Sequence, residues 1–328
     1  MVQILPILLS FALLTESFAQ EKAVLIPAQT IPLPGVQGRF DHFSIDVKNQ
    51  RLFVAALGNN TVEVIDIVSG KRLHTISGMS KPTGVLYLAE PNQIYVANGI
   101  EGTLKIFDGA AFKLMYTLGE LDDADNLRYD SKTKLAYLGY GDGAIAVIDT
   151  LTAKQIASIS LPAHPEAFQL EKNGPRLFVN LPNARQIAVI DRNKRAVIAV
   201  WPFERFLANF PMALDEADNR LFIGCRKPAR LVVLDTITGK SVTDMVISGD
   251  TDDLFYDAVL KCLYVSCGEG FVDIVEQINP DSYRMRQHIT ASFGARTALF
   301  CPDLGQFYLA VPMRDKQIAE IRVYKTVK

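Results

Sequence analysis

Two stretches of this chain crowd carboxylates beside apolar residues: "DDADNLRYD" from Asp122 to Asp130 and "DTDDLFYD" from Asp250 to Asp257. Grouped acids of this kind could ligate a hard divalent cation through oxygen, or share protons as acid and base. Asp41, Asp123, Asp125, Glu166, Asp252 and Asp253 are the candidate oxygen ligands, with Asp125, Asp252 and Asp253 the nearest to a metal set. Ca²⁺ or Mg²⁺ is the cation such oxygens suit. His42 and His164 each stand beside or near an acid, in "DHF" and "HPE", so either could act as a general base. Glu166 would assist it, and Arg296 could stabilise developing negative charge. No GxSxG, CxxC or P-loop pattern accompanies them, and "GDG" at Gly141 and "GEG" at Gly268 lack the Lys and helix of a phosphate loop.

Residues so far apart can cooperate only if the fold brings them together, and the repeat supplies the means. Segments "RLFVA" at Arg51, "QIYVA" at Gln93, "KLAYLG" at Lys134, "RLFVN" at Arg176, "RLFIG" at Arg220, "KCLYVS" at Lys261 and "QFYLA" at Gln306 follow one another at steps of 42, 41, 42, 44, 41 and 45 residues. A second series, "VEVID", "LKIFD", "IAVID", "IAVID" and "LVVLD", trails the first. The runs alternate with period 2 and are rich in Val, Ile, Phe and Tyr, so each unit reads as about four short strands. That period and strand count predict an all-β, seven-bladed β-propeller of four-stranded blades. The seventh unit lacks a fourth strand, and "AVLIPAQTIPLP" near the N-terminus has none of its own to join. Pairing the two closes the ring and removes an exposed sheet edge.

"RLFVAALGNNTVEVIDIVSGKRLHTI" and "QIYVANGIEGTLKIFDGAAFKLMYTL" resemble the YVTN-type repeat of exported bacterial seven-bladed propellers. The resemblance implies the fold and an extracytoplasmic location. For function it implies a surface or partner-binding role, with lactonases and a lyase among more distant relatives.

The repeat also separates architecture from site. Asp46, Asp130, Glu171, Asp215 and Asp257 recur where the first strand of a unit turns into the second, and Asp66, Asp108, Asp149, Asp191 and Asp235 recur before the outer hairpin. These ten are turn residues, since Asp side chains accept backbone N–H bonds two residues on. The residues entering each innermost strand share no consensus and are polar: Asp41-His42, Thr83-Gly84, Asp123 to Asn126, His164-Pro165-Glu166, Asn209-Phe210-Pro211, Asp250 to Asp253 and Arg296-Thr297. In a propeller they ring the channel mouth. Ligand-binding candidates there are Arg39, Asp41, Lys81, Asp123, Asn126 and Asn209, with Arg226 and Arg230 from the "RKPAR" loop. The bland alternative is a solvated, charged loop face.

Composition limits the rest. The chain is 49% hydrophobic and 21% charged with a formal charge of −2, which provides a core but no field for nucleic acid. "ILPILLSFALL" followed by Ser17-Phe18-Ala19 reads as a signal peptide over residues 1–19, too short an apolar run to span a bilayer, so residues 20–328 form one secreted or periplasmic domain, expected as a monomer with no membrane span. Cys225, Cys262, Cys267 and Cys301 fall in apolar segments and read as buried thiols. His74 and His288 fall in outermost strands, and Trp201 reads as packing. The functional expectation is a binding module whose mouth takes a polar ligand, a metal or a protein partner. The alternative is a metal-assisted, lactonase-like hydrolase or lyase using the same mouth.

Overall fold

A strand buried on both faces must be apolar throughout, and the repeated second strands are: Arg51–Ala56, Gln93–Asn98 and Arg176–Leu181 are buried from their second residue to their last. In the computed structural model, which describes residues 23–327, these strands sit inside seven four-stranded antiparallel sheets arranged as blades. The leader expected at residues 1–19 lies outside the described residues. Among the described residues, no helix is long and apolar enough to cross a membrane.

The innermost strands are Phe43–Asp46, Pro82–Leu88, Leu127–Asp130, Phe168–Leu170, Leu207–Asp215, Thr251–Asp257 and Ala298–Cys301. Each pairs with an apolar second strand at one fixed register. Ser44, Leu86, Arg128, Gln169, Ala213, Phe255 and Leu299 stand opposite Phe53, Tyr95, Tyr137, Phe178, Phe222, Tyr264 and Tyr308 in turn. Those seven aromatic rings are all buried.

The apolar core is divided among the seams between neighbouring blades, and seven clusters fill seven seams. One joins Leu52, Val54 and Ile65 of the first blade to Tyr308, Ala310 and Ile321 of the last. With the apolar residues spent in the seams, the axis is left to polar side chains.

The ring closes as the sequence predicts. Leu25–Pro32 pairs antiparallel with Glu320–Thr326, Leu25 opposite Thr326 and Pro32 opposite Glu320. The last blade is thus built from both ends of the chain. Ile31 and Leu33 are fully buried against it, and Val327 N–H bonds the Val24 carbonyl at 2.8 Å.

The recurring acids hold turns. Asp66, Asp108, Asp149, Asp191 and Asp235 each accept bonds through Oδ1 from the backbone N–H groups two and three residues on. At the inner turns Arg51 binds Asp46, and Arg176 binds Glu171. All four thiols are free and buried, and burial pushes those of Cys225 and Cys262 up to about 12 and 11. Trp201 packs on Phe178, and His288 caps the buried Asp273 at 2.6 Å.

Candidate functional site

Three residues before the position opposite each of the seven buried aromatic rings, every blade presents one side chain to the same place. These are Asp41, Thr83, Asp125, Glu166, Phe210, Asp252 and Arg296, and all seven line one cavity of about 210 Å³ at the channel mouth. Backbone bonds fix them alike: Asp41 N–H to Ala55, Asp125 N–H to Gly139 and Glu166 N–H to Asn180, at 2.8, 2.9 and 3.0 Å. Neighbouring blades are stitched at this level. Thr83 Oγ1 donates to the Ala124 carbonyl at 2.6 Å, and Asn180 Nδ2 to that of Phe210 at 3.0 Å. At Gly84 a Cβ would stand 2.2 Å from the Asp125 carbonyl oxygen, so glycine is what lets the third blade's acid reach the axis.

Above this ring, Arg39, Lys81, Asp123 and His164 come from the position two residues earlier in blades one to four, and all line the cavity. Arg226 arrives from the fifth blade's second strand, and His42 and Asn126 complete the polar wall.

The charges fall into three groups. On the side of blades five to seven, Arg226 and Arg296 are tied to Asp250 and Asp252. Arg296 Nη1 is 2.7 Å from Asp250, its Nε is 3.1 Å from Asp252, and Arg226 contacts Asp252 directly. The Arg226 guanidinium also lies 4.0 Å over the Phe210 ring. In the first blade Arg39 Nη2 is 2.8 Å from Asp41. His42 Nδ1 is equally close to Asp41, but the contact is out of line and Nδ1 has no well-formed hydrogen bond. Burial works against charge on His42, yet the adjacent Asp41 carboxylate, with Asp253 and Asp125 behind it, lifts its pKa to about 9.

The third group is looser. Lys81 Nζ is 3.3 Å from an exposed Asp123, and His164 stands 3.8 Å from Asp123 and 3.9 Å from Asp125. Burial opposes protonation of His164, but Asp125, the Gly141 carbonyl at 2.7 Å and Glu166 raise its pKa to about 9. The Glu166 carboxyl has no hydrogen bond or ion pair among the described residues. Burial first, and the Asp125 charge second, push it up to about 7 against the pull of His164 and Arg226. Asp125, Glu166 and His164 therefore keep lone pairs or a proton to offer a ligand. Among the described residues no three His, Cys, Asp or Glu side chains are grouped to hold a metal ion.

The structure brings to the cavity His42, His164, Glu166, Arg296, Arg39, Asp41, Lys81, Asp123, Asn126, Arg226, Asp125 and Asp252 of the residues expected there. Three stand elsewhere. Asp253 turns to the next blade, where its Oδ2 accepts the Ala298 N–H at 2.7 Å, and burial raises its pKa to about 7. Asn209 is buried and donates to Asn180 Oδ1 at 3.0 Å. A bulge between Asn209 and Met212 shifts the register there, and Phe210 takes the mouth position. Arg230 lies within a strand and pairs with Asp244 at 3.3 Å.

One participant was not foreseen. Arg128 sits just behind the cavity wall, its Nη1 donating to Asn126 Oδ1 at 2.7 Å and to the Leu127 carbonyl at 2.8 Å, with its charge facing Asp253 and Asp125. It is the one charged residue at its register among the seven innermost strands, a signal the repeat alignment carries.

The class is defined by these features: a seven-bladed β-propeller with a polar, recessed mouth. No protein-family profile and no curated sequence matches the chain. Solved structures do. A chain of the Mitotic Checkpoint Complex superposes with a TM-score of 0.78 at 14% identity, covering 100% of this chain and 99% of that one. Hydrazine synthase of Kuenenia stuttgartiensis gives 0.76 at 15% identity, covering 88% and 98%. At such identities the likeness is one of fold.

Proposed function

We propose that this chain is a binding module of the exported YVTN type whose channel mouth captures a small polar solute. The observation that carries the reading is the ring itself: seven blades each send one side chain to a single cavity, and six of the seven are polar or charged. A cavity of about 210 Å³ has room for the liquid volume of about seven waters, which suits a small metabolite and not a polypeptide segment. A neighbour drawn from the Mitotic Checkpoint Complex is consistent with protein binding by this fold, but the recessed charges favour a solute over a docked rim.

The test is calorimetry and thermal unfolding of the purified protein against amino acids, amines, carboxylates and polyols. A solute held at about 100 times its Kd should add roughly 2.7 kcal/mol to stability, and Asp125→Asn should remove that gain. If no solute binds, or if binding ignores Asp125→Asn and Glu166→Gln together, the mouth is not the site.

A second reading, hydrolase or lyase, is favoured by one fact: Glu166, with a pKa of about 7 beside His164, has the proton affinity of a general base at neutral pH. Incubating any solute that binds and following it by NMR decides the matter. An unchanged spectrum after a day of contact leaves the binding module alone.

A further inference from the structure

Resting on the reading of the mouth as a solute site, we infer that the solute is a small zwitterion, an amino acid, with its ammonium group on Asp125 and Glu166 and its carboxylate toward Arg39 and Lys81. Arg226 and Arg296 are satisfied by Asp250 and Asp252, and the ring of Phe210 is covered by Arg226. That side needs nothing from a ligand.

The opposite side does. Asp125 and Glu166 come from adjacent blades at the same register, so two carboxylates point into one space. His164 stands 3.9 Å from Asp125 and the Arg226 charge is felt at Glu166, yet Glu166 itself has no hydrogen bond or ion pair among the described residues. A cation with several hydrogen-bond donors would relieve their repulsion and supply the missing bonds, and an ammonium group does both. A metal ion would need a third ligating side chain in reach, and among the described residues none is so grouped.

An independent observation lies in the wall between the two ends. Asn126 is 3% exposed and lines the cavity. Its Oδ1 is taken by Arg128 at 2.7 Å, which fixes the orientation of the amide and leaves Nδ2 with no acceptor among the described residues. Nδ2 is not among the buried atoms that lack a partner, so it is open to the cavity and can donate to an oxygen that the solute brings. Arg39 and Lys81, with 48% and 39% of their side chains exposed, each have a single carboxylate contact and keep further donors for an anionic group. Donor-rich at one end, acceptor-bearing at the other and no larger than the cavity, the ligand has the chemistry of a free amino acid.

The experiment is calorimetry at pH 8 with glycine, L-alanine, L-serine and γ-aminobutyrate as probes, against propylamine, propionate and glycerol. At least one zwitterion should bind about tenfold or more tightly than the amine or the acid alone, and Glu166→Gln should weaken it by about tenfold, the loss of one charge-assisted contact. Lys81→Gln should weaken the zwitterion and leave propylamine unaffected. If propylamine, propionate or glycerol matches every zwitterion, or if Glu166→Gln binds as the wild type does, this inference is overturned while the mouth stands as a solute site. If none of the probes, and no solute in the wider panel, binds, the reading of the mouth falls with it. Should Glu166→Gln fail to fold, the comparison of zwitterion, amine and acid on the wild-type protein decides the question.

Discussion

The Glu166 carboxyl gives the most direct test of the electrostatics, because its ionised form is disfavoured in the folded protein and nothing there binds it. Its pKa rises from 4.5 to about 7. In the folded chain it keeps its proton through a range where the unfolded chain has lost it. The stability it contributes is therefore present below pH 4.5 and is lost as pH rises through 7. A rise of that size amounts to about 3 kcal/mol, reduced to about 2 by water at the open mouth. Gln mimics the protonated acid. Glu166→Gln should leave stability nearly unchanged at pH 4.5 and raise it by about 2 kcal/mol at pH 8.5, a gain of about 3 °C in Tm for a chain of this size. His42 and His164, raised to about 9, lose their own contribution as pH climbs through that value. The His42 contribution is common to both proteins and cancels in the difference, whereas His164 is held partly by Glu166, an attraction that already lowers the Glu166 pKa to its value of about 7. Melting curves by circular dichroism at the two pH values suffice. A variant that is less stable than the wild type at pH 8.5, or that gains equally at both, refutes the account of an unpaired, repelled carboxylate.

Other consequences follow from the same contacts. Arg226→Met leaves Asp252 with one arginine and uncovers Phe210, and should cost about 2 kcal/mol or more in urea unfolding, part of it recovered when Asp252→Asn is added; additive losses would show that the pair is not coupled. Removing residues 1–32 strips the closing strand, with Leu25 and Ile31, from the last blade, and should give a chain that aggregates in size-exclusion chromatography; a monodisperse, cooperatively melting product would show that the strand is dispensable. The four thiols should resist alkylation until denaturant is added, and reductant should leave Tm unchanged; one thiol labelled quickly under native conditions would contradict its burial.

The fold was legible because it is written seven times. An aromatic residue at the positions of Phe53, Tyr95 and Tyr137 in all seven units, and an Asp before the outer hairpin in the first five, repeat at nearly constant spacing, and any local ambiguity in one unit is settled by the others. Closure was legible from arithmetic, one strand too few at one end and one to spare at the other. The mouth was legible only in part. Register told which residues approach the axis, so Asp41, Asp125, Glu166, Asp252 and Arg296 were all found. Register also selects Phe210 over Asn209 in the fifth blade, but it did not tell that Asp253 would spend its carboxylate on the Ala298 N–H. Nor did it show that Arg230 would meet Asp244 in the next strand. These outcomes depend on what lies across a seam or in the neighbouring strand, which has no one-dimensional signature. Arg128 was overlooked because it sits inside an apolar-looking strand, although its six counterparts are uncharged.

The last blade, with three strands from the end of the chain and one from the beginning, sets the order in which the protein can be completed. As the polypeptide emerges from a ribosome or a translocation pore, Leu25–Pro32 appears early and must wait for Glu320–Thr326, its partner, until almost the whole chain has been delivered. Six blades can form meanwhile, each from contiguous sequence, but the ring stays open and the flanks of the first and sixth blades face solvent. The mouth also stays incomplete, because Arg296 belongs to the seventh blade and its counter-ions Asp250 and Asp252 to the sixth. Latching is thus the event that buries the last seams and finishes the cavity at the mouth together, so a chain cut short at either end loses that cavity along with its closure.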